Sequence, residues 1–121
     1  MIVGEFRNHF PRISLELPSN DGAMEIEFII DTGFEGDITL PESVLRRLDA
    51  RYRGSQFHLL ADGSSAECAI YYLFLNWNGE SRKTEVLALE TNPLLGTLLL
   101  DNCHLDIEAI EGGEVIIESL T

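Results

Sequence analysis

Apolar and polar positions alternate with a period of two along much of this chain. Ile13, Leu15 and Leu17 are separated by Ser14 and Glu16, and Met24, Ile26 and Phe28 by Glu25 and Glu27, with Ile30 continuing the series. Such alternation puts apolar side chains on one face of a strand and polar ones on the other. Turn formers stand between the runs: Ser19-Asn20-Asp21-Gly22, Asp62-Gly63-Ser64, Asn78-Gly79 and Glu111-Gly112-Gly113. Asn-Gly and Asp-Gly supply the positive φ of tight hairpins. The pattern predicts a first hairpin across Asn20 to Gly22, then strands near 53–60, 66–77, 82–89, 104–110 and 114–119. Ala69 to Trp77 is almost wholly apolar or aromatic, so that strand is expected to be buried on both faces or to lie at an interface.

Two places break the period. Pro41 to Leu48 opens with proline and an acid, closes with Arg46 and Arg47, and carries Val44, Leu45 and Leu48 on one face, as a short helix would. Thr97 to Asn102 predicts a second helix of little more than a turn. No repeat, linker or low-complexity tract divides the sequence, so residues 1–121 are expected to form a single all-β domain.

Composition narrows the partners. Twenty-one acids against eight bases give a net charge of -13, which repels nucleic-acid phosphates and excludes nucleic acid as an expected partner. A homodimer would double that charge, so its interface must be largely apolar or bonded through the backbone. Glu5, Arg7 and His9 interrupt the N-terminal apolar residues, leaving no secretory core, and no run approaches a membrane span; a cytoplasmic location is expected. Cys68 and Cys103 then read as reduced core thiols. His9, His58 and His104 lack helical metal-site spacing, and no Gly-x-Ser-x-Gly elbow is present, so neither a metal centre nor a serine triad is expected.

Ile29-Ile30-Asp31-Thr32-Gly33 carries the clearest candidate chemistry. A strand running into acid, hydroxyl and glycine presents a carboxylate on a rigid support. Where two such turns meet, like charges cannot both persist, so the pair shares a proton; the ionised acid can then take a proton from water while the protonated one polarises an amide carbonyl. The motif occurs once, and Asp62-Gly63-Ser64 has its residues in the wrong order, so this chemistry requires a second chain. The plainer alternative is a strand-ending turn, for which all three residue types are common.

Phe28 to Gly36, followed by Ile38-Thr39-Leu40-Pro41 and, much later, by Pro93-Leu94-Leu95-Gly96-Thr97-Leu98-Leu99-Leu100, resembles the single-domain, retropepsin-like aspartic proteases, among them a bacterial group of about this length. The resemblance covers most of the chain. It implies a closed acid-protease barrel with one or two short helices, acting as a symmetric homodimeric endopeptidase on a peptide or protein substrate, with no cofactor or metal. Asp31 would be half of the catalytic dyad, Thr32 would brace the two loops and Gly33 would shape them. Leu94, Leu95 and Gly96 would cross beneath the loop and pack against Ile30 and Thr32. Phe34 and a flap at Ala61, Asp62, Gly63 and Ser64 would contact substrate, and the terminal strands near Ile2-Val3 and Val115 to Glu118 would form the inter-subunit sheet. The chain departs from the viral pattern in Phe34, in the extra acids Glu35 and Asp37, and in lacking an Arg-Asn pair after Gly96. A non-catalytic module of the same fold that binds peptide by strand addition is the rival expectation.

Overall fold

A computed structural model describes all residues, Met1 to Thr121. The elements are β1 (Ile2–Arg7), β2 (Phe10–Ser19), β3 (Gly22–Ile30), β4 (Ile38–Leu40), α1 (Glu42–Leu45), β5 (Arg51–Leu59), β6 (Ser65–Trp77), β7 (Glu80–Ala88), β8 (Leu94–Leu95), α2 (Thr97–Leu100), β9 (Cys103–Ile107) and β10 (Glu114–Ser119). The all-β expectation holds, and the predicted hairpins form where the turn residues stand. Gly22, Gly63, Gly79 and Gly112 all take the positive φ their turns require.

Ten strands make one sheet in the order β5-β6-β7-β4-β8-β3-β2-β1-β10-β9. It curls so that Ile13, Leu15 and Leu17 of β2, Leu73, Leu75 and Trp77 of β6 and Val115 and Ile117 of β10 share a single core. It does not close. β5 has only β6 beside it and β9 only β10, so the closed barrel expected from the sequence is corrected to an open, curled sheet. Closure needs the two edge strands to meet along their length. Here the β5–β6 hairpin lies instead against the segment after β3, where His58 meets Phe34 edge to face with ring centroids 6.3 Å apart.

β1 and β10 pair with each other in the same chain, Ile2 opposite Ile117 and Val3 opposite Ile116. The second edge of β1 is taken by β2 only over Glu5 to Arg7, while β9 covers β10 from Val115 to Ser119.

The helix predicted over 41–48 is shortened to Glu42–Leu45. Arg47 O accepts from Asn20 N, and Pro18 O from Asp49 N, which draws the chain back onto the end of β2 after little more than a turn. β6 is not buried on both faces at once. Cys68 and Ile70 point to one side, packed with Leu87 and Phe34, whereas Leu73, Leu75 and Trp77 point to the other, into the main core. The strand changes its buried face between Ile70 and Tyr71, whose hydroxyl donates to Glu42 on α1 at 3.2 Å. That explains a continuous apolar run without two-sided burial.

Candidate functional site

The loop from Asp31 to Asp37 is built where three short pieces of strand meet. β8 lies parallel to β3, with Ile29 opposite Leu94 and Ile30 opposite Leu95, and antiparallel to β4 at Ile38. Leu95, fully buried, therefore sits beneath the start of the loop. The backbone continues the seam: Asp31 N donates to Leu95 O at 2.9 Å, and Ile29 N to Pro93 O at 2.9 Å. The resemblance implied that this segment meets Ile30, and Leu95 stands opposite it.

The far side of the loop is held by the start of α2. Gly96 N donates to Asp37 O at 2.8 Å, Thr97 N to Phe34 O at 2.8 Å and Leu98 N to Gly36 O at 3.2 Å. These are the donors that a helix start leaves without intrahelical partners. Gly96 has no alternative here, because a Cβ on it would stand 2.2 Å from Gly36 O and 2.5 Å from Phe34 O.

At the loop tip, Asp31 Oδ1 accepts the Gly33 N–H at 2.9 Å and Asp31 O accepts from Phe34 N at 3.1 Å. The carboxylate is thus oriented by its own turn while the residue stays only half-buried, and Thr32 and Gly33 are exposed. Gly33 is not in the left-handed region. Its role is room: a Cβ there would come within 3.2 Å of Asp31 Oδ1.

Asp37 does not crowd Asp31 with free charge. It is 4% exposed, its Oδ1 accepts from Arg82 at 3.0 Å and its Oδ2 from Glu85 N at 3.0 Å. Arg82 also donates to Leu98 O and Leu99 O. An arginine therefore does brace the loop, from β7 rather than from the segment after Gly96. Sequence reasoning missed this pair, although an acid that is buried needs a cation beside it.

Phe34 packs against the cluster of Cys68, Ile70 and Leu87 and forms one wall of a groove of about 300 Å³ that Gln56, His58, Glu35 and Asp37 also line. The shaft of the β5–β6 hairpin, and not its tip, meets Phe34. Ala61, Asp62, Gly63 and Ser64 are all exposed at that tip. Their turn is closed by Leu60 N to Ser64 O at 2.8 Å and by Asp62 Oδ1, which accepts from both the hydroxyl and the N–H of Ser64. Those two hydrogen bonds hold the Asp62 carboxyl below its ordinary value. A larger groove of about 470 Å³, between the β6–β7 turn and the ends of β9 and β10, includes none of the sequence-predicted site residues. Cys68 and Cys103 are both free thiols.

No protein-family model matches this chain, and no curated protein matches it.

Proposed function

We propose that this chain is an aspartic endopeptidase of retropepsin-like type that works as a homodimer, each copy supplying one Asp31. The observation that carries this reading is the Asp31 turn itself: a carboxylate oriented by the Gly33 N–H, fixed from below by Leu95 and from behind by α2, yet only half-buried. That rigidity is what dyad chemistry demands, since a misplacement of about 1 Å costs roughly a hundredfold in rate. With the two carboxyls sharing one proton, the ionised Asp31 takes a proton from water as the water oxygen attacks the amide carbon, and Asp31 of the partner subunit gives its proton to the carbonyl oxygen. The adduct then collapses, returning a hydroxyl proton to Asp31 of the partner subunit as the C–N bond breaks and the amine leaves with the proton held by the first Asp31. Thr32, exposed beside the axis, would brace one loop on the other. The β5–β6 hairpin would close over the substrate, and Phe34 would narrow the cleft beneath it.

Peptide-library cleavage between about pH 3 and pH 8, run on the native protein and on Asp31→Asn, tests this reading. Cleavage by the native protein that the substitution abolishes is the expected outcome. Cleavage that survives the substitution removes Asp31 from the mechanism.

One observation favours a second reading, peptide binding by strand addition without cleavage. β5 has a free edge and carries Phe57 and Leu59 at 74% and 71% exposure, the kind of unpaired apolar edge to which an extended peptide adds. Peptide binding without cleavage by a well-formed dimer would select it.

A further inference from the structure

We propose that the free edge of β9 is the seam at which two copies of this chain join, strand against strand, about a twofold axis at Leu105. The inference rests on the reading above in one respect: a chain with a single Asp-Thr-Gly has an incomplete site until a second copy arrives.

The topology leaves two candidates. Only β5 and β9, the two ends of the sheet, lack a partner strand along one whole edge; β1, β3 and β7 are paired on their second edge over part of their length. On β9 the direction of the backbone groups follows from the ladder. Glu108 N donates to Glu114 O and Leu120 N to Asn102 O, and β9 keeps one continuous register against β10 from Cys103–Ser119 to Ile107–Val115. In an antiparallel pair successive residues turn alternately toward and away from the partner. Asn102, His104, Asp106 and Glu108 therefore bond toward β10, and Cys103, Leu105 and Ile107 present their N–H and C=O outward.

The side chains of this edge complement their own mirror order. Antiparallel pairing about Leu105 sets Leu105 opposite Leu105 of the partner subunit and Cys103 opposite Ile107 of the partner subunit. On the opposite face it sets His104 against Asp106 of the partner subunit, and Asp106 against the partner's His104. These last are the non-hydrogen-bonded positions, where facing side chains come closest. Cys-His-Leu-Asp-Ile thus reads as apolar, basic, apolar, acidic, apolar, and matches its own reversal in chemistry. Such self-complementarity is what a twofold interface requires. Cys103 and Leu105 already pack on the main core, so the seam would be continuous with it, while His104 and Asp106 are exposed.

β5 fits the role less well. Pairing it with itself about Phe57 sets Ser55 against Leu59 and Gln56 against His58, with no opposite charges, and its hairpin must move to admit substrate. β9 by contrast follows α2 after only Asp101 and Asn102, so a seam there lies beside the element whose amides hold the Asp31 loop.

Sedimentation over a concentration series, with amide exchange on the full chain, tests the seam. We expect a dimer in which the amides of Cys103, Leu105 and Ile107 gain protection as it forms while those of Ser55, Phe57 and Leu59 do not. His104→Asp, which puts like charges together twice, should weaken association roughly tenfold, and adding Asp106→His should restore it. Both positions are exposed, and the restored double variant shows that the single one had not simply failed to fold. A dimer whose Cys103, Leu105 and Ile107 amides still exchange freely, or a double variant as weak as the single, overturns the seam. If such a dimer still cleaves peptide in an Asp31-dependent way, the seam alone is lost. A chain that stays monomeric at every concentration overturns both the seam and the dyad.

Discussion

Gly33 and Gly96 both border the loop, and the distances a Cβ would face predict different fates for them. At Gly96 the obstruction is backbone on two sides, at 2.2 and 2.5 Å, so nothing can give way cheaply. Gly96→Ala is expected to cost about 3 kcal/mol in urea unfolding. At Gly33 the nearest atom is a side-chain oxygen at 3.2 Å, so Gly33→Ala should change stability by less than about 1 kcal/mol while turning the Asp31 carboxyl from its present orientation. Equal losses at the two positions would refute the close approach at Gly96. Asp62 offers a check by pH. Its folded value lies below the ordinary 3.8, with the Ser64 hydroxyl as the largest cause and the Ser64 N–H next. Because the folded value is depressed, the turn gains stability that is fully present above 3.8 and is lost as pH falls through the folded value. The hairpin tip should therefore stay closed through the mildly acidic range in which a shared-proton dyad works. An NMR titration of the Asp62 carboxyl should show a midpoint under 3.8 that Ser64→Ala moves upward; a midpoint at or above that value contradicts the turn.

The elements around the loop are tied together by one ion pair. Arg82 on β7 reaches the buried Asp37 and the last carbonyls of α2, so its removal strands a carboxylate with a single N–H partner. Arg82→Met is expected to cost about 2–3 kcal/mol, the lower part of the range for breaking buried pairs because Arg82 itself is partly exposed. Asp37→Asn, which keeps an acceptor for Glu85 N, should cost about half as much in the same unfolding measurement. A loss below about 0.5 kcal/mol for Arg82→Met would show that the pair is solvent-screened after all. The pair was invisible in the sequence because nothing local links positions 37 and 82. The long strands were legible for the opposite reason: alternation and Asn-Gly or Asp-Gly turns are local, and Asn78 with Gly79 does what such a pair does, both taking positive φ. β4 and β8, with three and two residues, are too short to show a period and exist only through pairings with distant strands. The turn at Asn8 and His9 has positive φ at both residues without a glycine to announce it. The Asp31 turn and the Leu94-Leu95-Gly96 segment are each legible as a motif, but the register that sets Ile30 opposite Leu95 is stated by neither. The open sheet was not legible, since closure depends on whether β5 meets β9, and no run of residues states that.

For the molecule as a whole, charge opposes association. Each copy carries -13, so bringing two together repels across the whole surface, whereas the two His104–Asp106 contacts at the proposed seam are local. The diffuse repulsion should dominate the salt response. Raising ionic strength from about 0.01 to 0.15 M shortens screening from about 30 to 8 Å, so the dimer should tighten. Sedimentation across that range checks it, and loosening with salt would mean that specific ion pairs outweigh the repulsion. The change of buried face along β6 bears on how the halves of the molecule can move. A strand with one buried face can slip by two residues and restore its burial. β6 cannot, because any slip carries Ile70 or Leu73 past the crossover and exposes one apolar set or the other. The hairpin is thus barred from sliding and is left to rock. Tyr71, anchored to α1 through Glu42, stands where a lever has its fulcrum, with the Asp62 tip on one arm and Trp77 in the core on the other.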